Sequence, residues 1–239
     1  MIGRVLLAAL LAGIAAGLIM GVIQHVRLTP LILEAESFEQ VATVHDHGTE
    51  SGSTADGGTA VPHEHEEGWS PADGWQRTLS TTATAAMAGA AFAALMAGLS
   101  LVGGIPITRS NGIIWGLCGF LSVTVAPSAG LPPELPGMPA ADLLARQVWW
   151  LGTIAATGAG IFLIATRRET WAMALAVLLI GLPHALGAPA AITHESAVPA
   201  ALAARFAANA IAANAIFFAL IGLFLGMALN RYAEDFHAT

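Results

Sequence analysis

Four histidines form two short pairs in a strongly acidic part of the chain, His45-x-His47 and His63-x-His65. Imidazole is a good ligand for Zn, Cu, Ni and Co ions, and carboxylates add oxygen ligands and negative potential. In an extended segment both rings of a pair can point to one side, and a flexible segment can fold two pairs around one ion. The pattern predicts transient capture of a divalent metal, and the alternative is a solvated acidic linker with incidental histidines.

Three more histidines are candidate metal ligands in or beside the apolar part of the chain. His25 and His184 lie near the ends of hydrophobic stretches, and His194 lies in the segment that follows the second of these stretches. Pro183 precedes His184 and lacks a backbone N–H, so it would free a carbonyl in a helix. We expect a half-broken site that faces a cavity, with His25 as its partner. The alternative for each residue is a histidine hydrogen-bonded at the membrane interface.

The composition places most of the chain in lipid. Of 239 residues, 56% are hydrophobic and 10% are charged, whereas a soluble domain carries about 25% charged residues. All nine basic residues are arginine, so a P-loop lysine and a Schiff-base lysine are both excluded. Cys118 is the single cysteine, which excludes an internal disulfide and a C-x-x-C site. We therefore expect no enzyme, no permanently bound cofactor, and neither nucleotide nor nucleic acid as a partner.

Apolar stretches long enough to span a bilayer indicate the fold class. A spanning helix needs about 20 mostly apolar residues. Six stretches qualify, at 5–26, 79–102, 111–128, 147–166, 170–186 and 206–230. The fifth is short and interrupted by Pro183, so a five-span alternative, in which 170–186 only re-enters, stays open. The expected fold is an all-α polytopic helix bundle, one membrane domain over 1–239, with a single disordered external loop.

That loop, 34–77, differs in composition from the rest of the chain. It holds ten acidic residues against one arginine, four of the histidines, and a centre rich in Gly, Ser and Thr. Its middle part, 41–67, lacks hydrophobic periodicity, which is typical of disordered segments.

Arginines in the short loops indicate the orientation. Arg109 and the pair Arg167–Arg168 favour a cytoplasmic N-terminus, and an even number of spans then places the C-terminus there too. The acidic loop and every histidine except His237 fall on or near the outer side. We expect a multi-pass protein of the inner (plasma) membrane.

Small residues at four-residue spacing predict how the helices pack. Gly13, Gly17 and Gly21 share one helix face, and such faces let two backbones approach closely. The series continues to His25, which places that histidine on the packed face. Asn214 lies on the same face of its helix as later glycines, and Asn209 and Asn214 could each coordinate an ion or bond across helices.

Five segments together carry a family resemblance. They are LLAALLAGIAAGL at 6–18, RLTPLILEAE at 27–36, EGWSPADGWQRTL at 67–79, PPELPGMPAADLLARQVWWLGT at 132–153 and LPHALGAP at 182–189. The chain resembles the CbtA family, a proposed cobalt transporter subunit. The resemblance implies cobalt uptake linked to cobalamin synthesis, a five-span fold, and a small CbtB-like membrane partner with its own histidine motif.

The expected function is that of a membrane subunit for uptake of a divalent transition metal, with Co(II) as the transported ion. The outer loop would capture the metal for passage through the bundle. The candidate ligands are His25, His45, His47, His63, His65, His184 and His194. The first alternative is a non-conducting membrane module that binds metal or a partner. A second alternative is a membrane enzyme or a haem subunit that uses His25 and His184.

Overall fold

The computed structural model describes residues 2–46, 72, 74–192 and 195–230, and in 39–46 only the backbone is described. These residues form helices and connecting turns without a strand. The helices are α1 (Ile2–Ile23), α2 (Thr29–Asp46), α3 (Trp75–Gly103), α4 (Gly112–Phe120), α5 (Ala126–Ser128), α6 (Leu143–Thr166), α7 (Thr170–Leu186) and α8 (Ala200–Leu229). Two π-helical turns join them, the first at Gln24–Leu28 and the second at Leu121–Val125. The expected all-α membrane fold is confirmed.

Within the described ranges, four helical segments are long and apolar enough to cross a membrane. They are Ile2–Phe38, Trp75–Gly103, Leu143–Thr166 and Ala200–Leu229, and the shorter apolar helices are Gly112–Ser128 and Thr170–Leu186. The number of these helical stretches agrees with the fold of about six helices expected from the sequence. Contrary to expectation, Pro183 does not interrupt α7, because it lies buried in the last turn and the helix continues to Leu186.

Each π turn ends two residues before a proline. The backbone N–H of Thr29 bonds the carbonyl of Gln24 before Pro30, and that of Ala126 bonds the carbonyl of Leu121 before Pro127. A proline ring inside a helix clashes with the carbonyl four residues earlier, and one wider turn relieves that clash. The chain therefore stays helical through both prolines instead of breaking.

The first helix is much longer than the expected span. α1, the first π turn and α2 follow one another without a break, and α2 ends at Asp46. The 37 residues of Ile2–Phe38 alone measure about 55 Å at 1.5 Å per residue, against a hydrocarbon core of about 30 Å. The first part of the segment expected as loop, 34–46, is therefore helical and extends beyond the membrane.

Small residues form the helix contacts, as their spacing predicts. Gly13 packs against Gly89, and Gly17 packs against Ala85. This order shows that α1 and α3 are antiparallel, and their interface is the most extensive in the fold. α4 and α8 pack in the same way through Gly112, Gly116, Gly222 and Gly226. A Cβ at most of these positions would meet the opposing backbone, so glycine is what allows the close approach.

One end of the bundle carries a second, smaller hydrophobic cluster. We name this end the loop face. Here α1 continues, through the first π turn, into α2. Helices α3, α6 and α8 begin at this face, and α5 and α7 end at it. Leu31 and Ala35 of α2 pack with Leu135, Val198 and Leu202. α2 is thereby fixed to the 129–142 connection and to the start of α8.

Candidate functional site

Most of the loop histidines predicted as ligands lie outside the described residues. These are His47, His63, His65 and His194. His45 lies near the end of α2, in the part where only the backbone is described. Metal binding by these five residues stays a prediction.

His25 lies in the first π turn and faces α3, as the glycine series predicts. Its Nδ1 is 3.3 Å from the hydroxyl oxygen of Thr78. Both residues line a cleft of about 510 Å³, together with Thr29 and Trp75. His25 therefore offers an exposed imidazole on the loop face, within a cleft that hydroxyl groups border.

An ion pair between α2 and α3 lies beside this cleft. The guanidinium of Arg77 donates to both carboxylate oxygens of Glu36, at 2.6 and 3.3 Å. The two side chains are 26% and 32% exposed. A two-point contact between these helices fixes the direction in which α2 leaves the bundle, and it contributes about 1 kcal/mol or less at such exposure.

His184 lies near the end of α7 and packs against α6. Its ring meets the Trp149 ring edge-on, with centroids 6.0 Å apart and planes at 74°. The indole Nε1–H of Trp149 donates to the carbonyl of Pro183 at 3.2 Å. Trp149 thus satisfies the carbonyl that precedes His184, and the imidazole itself stays exposed.

The structure places His25 and His184 against different helices. The recorded partner of His25 lies on α3, whereas that of His184 lies on α6. Among the residues that the structure describes, no group of three or more His, Cys, Asp or Glu side chains could hold a metal ion. If His25 and His184 bind a metal ion, they do so without a preformed cluster of His, Cys, Asp or Glu side chains among the described residues.

Sequence reasoning missed a second cavity of about 510 Å³, which also opens at the loop face. We name it the vestibule. It is bordered by the second π turn, α5, the 129–142 connection, α6, α8 and one residue of α3. Its polar lining residues are Thr124, Ser128, Glu134, Arg146, Gln147 and Asn214.

A charged pair lies at the end of the vestibule nearest the loop face, and aromatic rings line its inner end. Arg146 donates to Glu134 at 2.6 Å. At the other end, the ring centroids of Phe92 and Phe218 are 5.0 Å apart, and those of Phe217 and Phe218 are 5.6 Å apart. The vestibule is therefore a cavity in which six polar side chains lie among apolar and aromatic ones.

One sequence signal pointed to part of this cavity. Asn214 was expected on a packed face of its helix, and the structure places it in the vestibule wall. Thr124 and Ser128 are four residues apart around Pro127, which places two hydroxyl groups on one helix face in an otherwise apolar span. That spacing could have found the opposite wall.

Comparison with known families links the whole described fold to a transport family. Residues 2–230 match the family described as "Probable cobalt transporter subunit (CbtA)". No curated protein and no solved structure matches the chain. The match covers nearly the whole chain, including both histidines of the loop face and every residue of the vestibule. The chain therefore belongs to the CbtA family of probable cobalt transporter subunits.

Proposed function

We propose that this chain is the membrane subunit of a divalent transition-metal uptake system, with Co(II) as its cargo. The histidine-rich segment after α2 captures the ion on the outer side, and the helix bundle passes it inward. The family match to residues 2–230 supports cobalt as the cargo. The proposal adds where the metal is first bound and which way it moves.

The anchoring of α2 is the observation that connects capture to passage. α2 leads to His45 and to the segment that holds the other three paired histidines. Leu31 and Ala35 on this helix pack against Leu135. The neighbouring residue, Glu134, lies at the end of the vestibule nearest the loop face. The helix from which the histidine-rich segment continues is thus held beside an opening into the bundle.

Orientation and energy source follow from charge. Arg109 and Arg167–Arg168 lie at the face opposite the loop face, and the positive-inside rule makes that face cytoplasmic. Both termini are then cytoplasmic, in the inner (plasma) membrane. The membrane potential drives a cation inward with about 2.3 kcal/mol per charge per 100 mV, so a divalent ion gains about twice that amount. A small CbtB-like membrane subunit is the proposed partner.

One observation favours a second function, a membrane module that binds metal without conducting it. The rings of Phe92, Phe217 and Phe218 line the vestibule on its inner side. Uptake of radioactive cobalt into proteoliposomes, with and without the small partner, separates the two functions. Accumulation that depends on this chain and on membrane potential supports uptake. Binding without accumulation in either preparation supports the non-conducting module.

Replacement of the four paired histidines should weaken metal binding by the full chain. Glutamine at His45, His47, His63 and His65 removes the imidazole ligands but keeps the carboxylates. We expect the affinity for Co(II) to fall by about tenfold or more, since borderline metals prefer nitrogen ligands to oxygen ligands. Calorimetry on the purified chain in nanodiscs measures this change. Equal affinity in both proteins would show that the carboxylates alone bind.

The calorimetric titration with Co(II), repeated at several pH values, provides a control. A metal needs neutral imidazole, and an ordinary histidine has a pKa of about 6.5. Protons compete with the metal below that pH, so the affinity of the unchanged chain should fall between about pH 7.5 and 5. The four-glutamine variant should show a smaller fall over the same range. Parallel curves for the two proteins would contradict a role for the loop histidines.

A further inference from the structure

The vestibule holds an unusual concentration of polar side chains without protein partners. Thr124, Ser128, Gln147 and Asn214 all line it. None of their side chains makes a hydrogen bond to another residue in the described part of the chain. Polar groups inside an apolar bundle are costly unless they are hydrogen-bonded. Their shared cavity, of about 510 Å³, has room for water or a ligand that would supply hydrogen-bond partners.

Asn214 marks the depth of this polar surface. It is the fifteenth residue counted from Ala200 in a helix of 30 residues, which places it at the middle of α8. Thr124, on the opposite wall, is a buried residue that is 6% exposed. The polar lining thus reaches from the Glu134–Arg146 pair, at the end nearest the loop face, to the centre of the bundle.

We propose that the vestibule binds a hydrated divalent cation, with the side-chain oxygens of Asn214 and Thr124 accepting hydrogen bonds from the water ligands of the ion. This proposal rests on the proposed uptake function and gives it a binding site inside the bundle. It assigns the site to residues other than the histidines. The ion is held through its water shell, so no bond from the protein to the metal is required.

Size and chemistry both fit a hydrated ion. Six waters occupy about 180 Å³ at about 30 Å³ each, well within a cavity of about 510 Å³. Amide and hydroxyl oxygens accept hydrogen bonds from waters that a cation polarises. Of the described residues that line the vestibule, only Glu134 and Arg146 are charged. A neutral site of this kind binds weakly enough to release the ion, as conduction requires.

Two substitutions at Asn214 test the site, one that removes the polar group and one that adds a negative charge. Asn214→Leu removes the acceptor, and we expect the KM for Co(II) uptake to rise about tenfold. Asn214→Asp keeps the shape and adds a negative charge, and we expect that KM to fall about tenfold with slower release. A purely structural role would not produce shifts of opposite sign. Thr124→Val is a second variant that removes a hydroxyl without changing the side-chain volume much.

Asn209 provides the matched control on the same helix. Its amide donates to the carbonyl of Arg205 at 2.8 Å, and it does not line the vestibule. Asn209→Leu and Asn209→Asp should therefore leave the KM close to its original value. All variants are compared at equal abundance in the membrane. If the Asn214 pair shifts the KM no more than the Asn209 pair, or shifts it in one direction only, the proposed site is wrong.

Equilibrium dialysis of radioactive Co(II) separates this inference from the uptake function. The purified chain with its four paired loop histidines replaced is used, so that only binding in the bundle is measured. We expect the affinity for Co(II) to be highest with Asp at position 214, lower with Asn and lowest with Leu. If that order holds while the unchanged chain shows no uptake, the cation site stands and the uptake function falls. Uptake by the unchanged chain with equal dialysis affinities overturns the cation site and leaves the function intact.

Discussion

Replacing Gly89 with valine should remove nearly all folded protein from the membrane, whereas the same change at Gly98 should leave it there. A Cβ at Gly89 would meet the carbonyl oxygen of Gly13 and backbone atoms of Gly17. Backbone atoms on both sides cannot rotate away, so α1 and α3 must separate. Overpacking a core typically costs about 1–3 kcal/mol, and loss of the most extensive helix interface exceeds that range.

Gly98 is a matched control because it lies on the same helix and has no atom within 4 Å of an added Cβ. Both variants change glycine to valine inside α3, so the intrinsic helix propensity changes by the same amount. The abundance of full-length protein in membranes and its elution profile in mild detergent measure the difference. If Gly98→Val lowers both as much as Gly89→Val does, the effect comes from helix propensity rather than from helix contact.

The helix contacts were predictable from the sequence because they depend on local, regular spacing. Gly13, Gly17 and Gly21 fall on one face of any α-helix, and only residues without a large side chain allow two backbones to touch. The same reasoning placed His25 toward a neighbouring helix, and its contact with Thr78 confirms that placement. Periodicity and composition were sufficient to predict the bundle.

The vestibule was not predictable in this way because its walls come from distant parts of the chain. Thr124, Gln147 and Asn214 belong to three different helical segments, and nothing in their separate spacings shows that they meet. The expectation that Pro183 interrupts its helix was wrong, and helices in this fold continue through other prolines too. Wider turns before Pro30 and Pro127 keep the helix continuous, and Pro183 lies within the last turn of α7.

The second large effect that we predict is on cobalt uptake in His184→Ala. We expect uptake to fall about tenfold, the size typical for loss of one contact to a charged group. Replacement of any single loop histidine should have a smaller effect, because the two H-x-H pairs can substitute for one another. His184 has no equivalent on α7. Uptake of radioactive cobalt by cells, at equal membrane abundance of each variant, measures the difference.

The structure changes the reason for this prediction. The sequence suggested a broken helix with open carbonyls, but α7 is continuous, and Trp149 and Gly187 both donate to the carbonyl of Pro183. What remains is an exposed imidazole whose nitrogens make no hydrogen bond among the described residues. The ring of Trp149 packs against the ring of His184. Trp149 also lies close to Gly130, on the 129–142 connection that carries Glu134. Through Trp149 and Gly130, His184 lies near the connection that carries Glu134, and binding of the ion by His184 stays our prediction.

His184→Phe separates this role from packing. Phenylalanine keeps an aromatic ring against Trp149 but has no nitrogen, so a metal-binding role predicts that uptake falls as far as in His184→Ala. Recovery of uptake in the phenylalanine variant would mean that the ring only stabilises the end of α7. A variant with all four paired loop histidines replaced completes the comparison. Normal uptake in His184→Ala, together with loss of uptake in the variant that lacks the four paired loop histidines, would assign metal binding to the loop instead of the bundle.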